Sequence, residues 1–300
     1  MTVYTYRGLE TVGRLGNQLW EIAGTVSVAA RNDGVPRFEK WSYQEWFDVP
    51  ADWFGPVPDD AVHSADLACA HIHPAQRGYM QCWHHLEDPA VASFVWSAFQ
   101  PSYAAASFLA DHIDRHALGW LPELNAHHPT VSISVRRGDN TDPVSHPVGT
   151  WPLVTRDYYR DAVASFADIP DAHFVVFSDE SDWCVQHMPD WLDGIVPNSR
   201  LHFVPTGPTR PPEYGLSGYS EAPALDWVDL QLIATTQHHI LGASTFSWWG
   251  AFLSQPGRVV YPDNWVGWRI TTFDFRDLMP PDWVCVHNPV HPRHLSRRGR

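Results

Sequence analysis

The chain has 300 residues, 44% of them apolar and 13% aromatic, which is enough for about two domains with real cores and excludes a disordered chain. Twenty basic side chains against 34 acidic ones give a formal charge of −14, and that field excludes a general nucleic-acid binder. No stretch approaches the ~18 consecutive apolar residues of a membrane-spanning helix. Met1–Glu10 has no basic start followed by an apolar run, so a soluble cytoplasmic protein without an export signal is expected. Cys69, Cys82, Cys184 and Cys285 are scattered and are expected as free thiols.

In chain order, Val3 to Tyr6 reads as a short strand, a turn with Gly13 and Gly16 follows, and Leu19, Ile22, Ala23, Val26, Ala29 and Ala30 recur at helical spacing until Asp33-Gly34. From Trp41 to His85, turn signals are too frequent for regular elements. Helices are expected over Ala90 to Phe99 and Tyr103 to His116, and a proline-flanked polar segment from Leu121 to Pro129 marks a domain boundary, giving domains 1–126 and 127–300. Beyond it the pattern predicts strands at Val131 to Val135, His173 to Phe177, Leu201 to Val204, His239 to Leu241 and Arg258 to Tyr261. Helices alternate with them near Tyr158 to Phe166, Asp182 to His187, Asp226 to Thr236 and Ser247 to Leu253. This alternation implies an α/β protein with parallel, doubly wound strands.

Ligands of such sheets bind outside the carboxyl ends of the strands. That rule selects Arg136-Arg137-Gly138-Asp139, Ser178-Asp179-Glu180, Gly242 to Ser247 and Pro262-Asp263-Asn264. Arginines opposite a hydroxyl-rich helix start suit a diphosphate, and would stabilise the charge that develops if it departs. Two readings stand side by side at each piece: the Arg-Arg-Gly-Asp run is a phosphate clamp or a solvated turn, and Ser247 binds an anion or caps a helix whose Trp248 and Trp249 fill the core. His71 with His73, His84-His85, His127-His128 and His238-His239 lack metal-ligand spacing and read as surface or capping residues, so no metal is predicted. There is no D-x-D triplet to hold a divalent ion on a sugar nucleotide, which favours metal-independent transfer.

Three motifs in order give a family resemblance. Gly13-Arg14-Leu15-Gly16-Asn17-Gln18-Leu19-Trp20 resembles G-x-L-G-N-Q-[ML]-F, Val135 to Asp139 resembles the core of H-[VI]-R-R-G-D, and Ala243 to Gly250 resembles N-S-S-F-S-W-W-[GA]. Gly78 to Gln81, Asp157-Tyr158-Tyr159 and Phe177-Ser178-Asp179 add weaker echoes. On these residues the chain is similar to glycosyltransferase family 11, the α-1,2-fucosyltransferases.

The resemblance implies a GT-B type fold, with two Rossmann-like domains facing across a cleft, the first on the acceptor side and the second holding GDP-fucose. It implies an inverting, metal-independent transfer of L-fucose to the 2-hydroxyl of a galactose-terminated glycan in polysaccharide or lipid-linked oligosaccharide assembly. Arg136 and Arg137 would contact the phosphates, Asp179 would lie near the guanine, and Ser244, Thr245, Phe246 and Ser247 would bind phosphate. Gly13, Gly16, Asn17 and Gln18 would approach the donor. Asp139 is either the general base or a pin for the arginine loop, with Asp142 and His146 as other base candidates. Two departures bear on the donor site: Ser134 stands where the family has histidine, and Ala243 where it has asparagine. They motivate a second reading, transfer from a different GDP-sugar. A third is a catalytically silent glycan- or nucleotide-binding protein of the same fold. Lacking an anchor, the chain is expected in the cytoplasm, with membrane contact only through a lipid-linked acceptor or the basic tail from His291 to Arg300.

Overall fold

The glycine turn and the apolar face after it set the first unit. Strand β1 (Val3–Thr5) leads through that turn into helix α1 (Leu15–Arg31), whose Leu19, Trp20, Ile22 and Ala23 are wholly buried. The structure, a computed structural model, describes residues 1–11, 13–67, 79–142, 150–205, 223–267 and 275–289, so Cys69, His71, His73, Gly78, His146 and the basic tail lie outside the described residues. Strands β2 (Val35–Pro36) and β3 (Val62–His63) flank β1 in a parallel sheet of order β2-β1-β3.

From Trp41 to Phe54, within the segment without a readable pattern, aromatic rings pack together. Trp41 stacks on Phe47 at 5.5 Å and on Phe54 at 5.9 Å between ring centroids. Helices α2 (Pro89–Ala98) and α3 (Tyr103–Arg115) follow, α2 capped by the Asp88 carboxylate, which accepts the Ala90 N–H at 2.8 Å.

The chain divides into two units. One gathers Met1–His112 with Pro211–Val228 and Thr272–Pro281, and the other Ile113–Arg210, Asp229–Thr271 and Asp282–Arg300. The sequence reading instead cuts the chain once, between 126 and 127. It also treats Leu121 to Pro129 as a linker, whereas the structure has helix α4 (Trp120–His127) there. Pro122 sits in its first turn, where a missing N–H costs nothing.

The second unit is built on β4 (Thr130–Val135), all six residues of which are buried. Then come α5 (Arg156–Ala164), β5 (His173–Ser178), α6 (Ser181–Leu192), β6 (Leu201–Phe203) and, from Asp229 on, α7 (Pro223–Ala234). The series closes with β7 (His238–Ile240), α8 (Thr245–Ser254), β8 (Val259–Pro262) and an edge strand absent from the sequence expectation, β9 (Val284–Val286). All pairs are parallel and the order is β6-β5-β4-β7-β8-β9. Val131, Ile133, Tyr158, Tyr159, Phe166 and Val176 fill the core on one face, each fully buried Val, Ile or Phe contributing about 1.5–3 kcal/mol. The α/β class with parallel strands is therefore what the chain adopts.

Two histidines depart from the surface expectation. His239 is fully buried, bonded to Ser132 Oγ and Ser254 Oγ at 2.7 Å each, and burial pushes it down to about 3. His85, also buried, lies 3.1 Å from an Arg31 guanidinium nitrogen.

Glu21, on α1, is wholly buried, and neither carboxylate oxygen has a hydrogen-bond partner among the described residues. Burial pushes its carboxyl up from 4.5 to about 10, so the folded protein keeps it protonated. The unfolded chain releases that proton first, so this contribution is complete below pH 4.5 and is lost as pH rises toward 10. Glu21→Gln is accordingly expected to leave stability unchanged at pH 4 and to raise it at pH 7 by about 3 kcal/mol, read from denaturant unfolding at the two pH values. An equal gain at both would mean the carboxyl is not the cause.

Candidate active site

With β4 as the first strand of its sheet, the chain builds outward through β5 and β6 on one side and then through β7, β8 and β9 on the other. This is the 3-2-1-4-5-6 order of dinucleotide-binding sheets, and its switch point lies between β4 and β7. Arg136 to Asp139 leave the carboxyl end of β4 there, and Gly242 to Ser244 leave that of β7. The two turns touch: a Cβ on Gly242 would lie 2.8 Å from the Ser134 carbonyl oxygen and 3.4 Å from the Arg136 nitrogen, so only glycine permits the approach.

Helix α5 locks both strand ends. The Tyr159 hydroxyl donates to the Ser134 carbonyl at 3.0 Å and the Tyr158 hydroxyl to the Leu241 carbonyl at 2.8 Å. Burial raises both phenols well above their ordinary value, which keeps the donating protons in place.

At the start of α8, Ser244 is the cap, its Oγ accepting the Phe246 N–H at 3.3 Å. Ser247 does not cap: it is buried, and its hydroxyl donates to the Ser244 carbonyl at 2.9 Å and the Gly242 carbonyl at 3.3 Å. Ser244, Thr245 and Phe246 are half-buried, while Trp248 and Trp249 are wholly in the core.

The arginine loop is organised by carboxylates. Arg136 is ion-paired with Asp179 and with Asp139. Asp179 also accepts the Arg137 backbone N–H at 2.9 Å, and Gly138, at φ +22°, carries no Cβ where one would lie 2.5 Å from Asp179 Oδ2. Arg137 donates through Nε to Glu180 at 2.9 Å and lies 3.5 Å over the Trp183 ring. Asp139 meets this loop through the Arg136 guanidinium. Sequence reasoning misses the roles of Glu180, Trp183 and the Tyr158–Tyr159 pair, because the partners they hold are far away in sequence. Ser134 is buried, and its Oγ has no hydrogen-bond partner among the described residues.

The glycine loop lies in the other unit. Gly13 has φ +78°, and a Cβ there would meet the Asn17 side chain at 2.1 Å. Asn17 accepts from Gln81 at 3.0 Å. Gly16 and Gln18 are buried, and the Gln18 amide accepts from the Trp41 indole at 2.8 Å while donating to the Gly13 carbonyl at 3.4 Å, which braces the loop.

The rim thus brings two guanidiniums, braced by Asp139, Asp179 and Glu180, to the switch point of the sheet. Residues 83–197 match the sequence pattern of glycosyl transferase family 11. The chain is 27% identical over 160 residues to the Escherichia coli alpha-1,2-colitosyltransferase, covering 52% of this chain and 47% of that protein. It is 25% identical over 311 residues to the mouse galactoside alpha-(1,2)-fucosyltransferase 2, covering 95% and 79%. The chain thus spans less than half the length of the colitosyltransferase it matches. Among solved structures, a mutant of Arabidopsis thaliana FUT1 in complex with GDP aligns at TM-score 0.49 and 11% identity, covering 89% of this chain and 72% of that one. No helix among the described residues is long and apolar enough to cross a membrane.

Tyr159→Phe leaves the buried Ser134 carbonyl without its donor and is expected to cost about 1–3 kcal/mol in urea unfolding with an unchanged slope. Parental stability in that variant would show that the strand end does not depend on the bond.

Proposed function

We propose that the chain transfers L-fucose from GDP-fucose to the 2-hydroxyl of a galactose-terminated glycan, with inversion and without a metal. In this reading it acts as a GT-B type enzyme whose second unit carries the donor. The observation that carries the proposal is the placement of Arg136 and Arg137 at the carboxyl end of β4, where the chain meets the turn after β7 at the sheet's switch point, in a chain whose residues 83–197 match family 11. The acceptor oxygen attacks the anomeric carbon, the bond from that carbon to the β-phosphate oxygen breaks, and the arginines take up the charge that appears on GDP. The proton of the acceptor hydroxyl passes to a base, for which Asp139 is available once a phosphate replaces it on Arg136.

A second donor reading has a specific basis in Ser134 and Ala243, which stand at the rim itself. One relative is named for colitose and another for fucose, sugars that differ only at the 3-position hydroxyl. Donor choice is therefore the property these two residues are expected to affect, with the arginine chemistry common to both readings.

Titration calorimetry with GDP-fucose, GDP-mannose and GDP in the presence of EDTA tests the reading. GDP-fucose is expected to bind without metal, and Arg136→Ala to lower the transfer rate by about 100-fold or more. Preference for another GDP-sugar would establish the second reading. Failure to bind any GDP species would leave a glycan-binding protein on a retained fold.

A further inference from the structure

The amino ends of β4, β5 and β6, opposite the arginine rim, carry a cluster that the transfer reaction does not use. His128 closes α4 just before β4, His173 opens β5, and Asp171 stands in the turn between α5 and β5 at φ +58°. The potential ligand atoms of these three residues lie within 4.8 Å of one another. His202 of β6 adds a fourth group, with its Nε2 2.9 Å from His173 Nδ1. His128 Nδ1 lies 2.7 Å from Asp171 Oδ2, and the His128 and His173 rings are 4.4 Å apart between centroids.

The spacing fits coordination. Ligand bonds of about 2.0–2.2 Å in a tetrahedral site put donor atoms a little over 3 Å apart, so shifts of an ångström or so convert this cluster into a shell. Three imidazoles and one carboxylate select zinc-class ions over magnesium or calcium, which prefer all-oxygen shells. The other charged group on the cluster is Arg200, whose guanidinium holds Asp171 Oδ1 at 2.8 Å and leaves Oδ2 toward His128. Trp120 stacks on the far ring, 5.4 Å from His202.

We propose that His128, Asp171, His173 and His202 bind one divalent transition-metal ion of the zinc class, which clamps the amino ends of β4, β5 and β6. The six residues of β4 separate this cluster from Arg136 by on the order of 15–20 Å, so the ion takes no part in sugar transfer. The sequence expectation of no metal rests on spacing within single segments, whereas these ligands come from three.

The test uses the full chain stripped by chelator and titrated with Zn2+, and separately with Co2+ for its visible absorption. One equivalent of Zn2+ is expected, with Co2+ giving the intense visible bands of a four-coordinate nitrogen and oxygen site and Zn2+ raising the melting temperature while Mg2+ does not. His173→Ala is expected to weaken binding at least tenfold. His128→Gln lies outside the strands and His202→Gln keeps a similar volume, so these two carry the test if the alanine variant fails to fold. Absence of binding by the parent chain, or binding unchanged in the folded variants, as other histidines among the 18 of the chain would give, overturns the proposal.

Discussion

The carboxylate of Asp179 is the fixed point of the rim. One oxygen holds the Arg137 backbone and the other the Arg136 guanidinium, and Gly138 folds over it only because it lacks a side chain. Without that carboxylate two neighbouring cations would repel each other and swing into solvent. Its side chain is 13% exposed against 27% for Asp139. The more exposed partner is better hydrated when released, so under the proposed reading an incoming phosphate replaces Asp139 first and leaves the loop anchored. The rim contains two guanidiniums and three carboxylates, counting Glu180, so net charge alone does not attract an anion. Under the proposed reading, attraction comes from exchanging Asp139 for phosphate and from the backbone N–H groups at the start of α8.

That arrangement depends on the two strand ends being held in register. Tyr159 bonds the end of β4 and Tyr158 the residue after β7, so one helix ties both sides of the switch point. Deeper in the sheet, neutral His239 links Ser132 of β4 to Ser254 at the end of α8. This histidine stays unprotonated when folded, so its contribution is present above the ordinary histidine range and is lost as pH falls through it toward 3. Polar groups in the core thus fix the geometry that apolar packing alone would leave approximate.

Much of the second unit is legible in the sequence because its strands and helices alternate in period. β4 and β5 differ from expectation by one residue at an end, and the rule that ligands gather at strand ends leads directly to Arg136 and Ser244. Three kinds of feature are not legible. The aromatic core around Trp41 has no period, since its rings come from turns. α4 is hidden by Pro122, which reads as a break though it lies in the first turn. Pairings such as Arg137 with Glu180, 43 residues apart, or Tyr159 with Ser134, exist only once the sheet is assembled. At the rim, the residue types are readable and their partners are not. Asp139 illustrates the difference, since only the ion pair with Arg136 shows that it braces the loop.

The two departures from the family pattern form one local change. Ser134 is the penultimate residue of β4, Ala243 follows Gly242 after β7, and Gly242 is packed against the Ser134 carbonyl. Histidine and asparagine at these positions would bring larger polar groups to the same place. Here that place has a methyl group and a buried hydroxyl whose oxygen has no hydrogen-bond partner among the described residues. Arg136 and Arg137, just after Ser134 in the chain, keep their residue types and their braces. Under the proposed reading, a change at Ser134 and Ala243 leaves phosphate binding and leaving-group stabilisation by the arginines as they are and alters what is recognised beyond the phosphates. In that reading, residues that would meet the sugar or the base vary independently of those that would do the chemistry, and such a separation allows one reaction class to serve donors differing by a single hydroxyl.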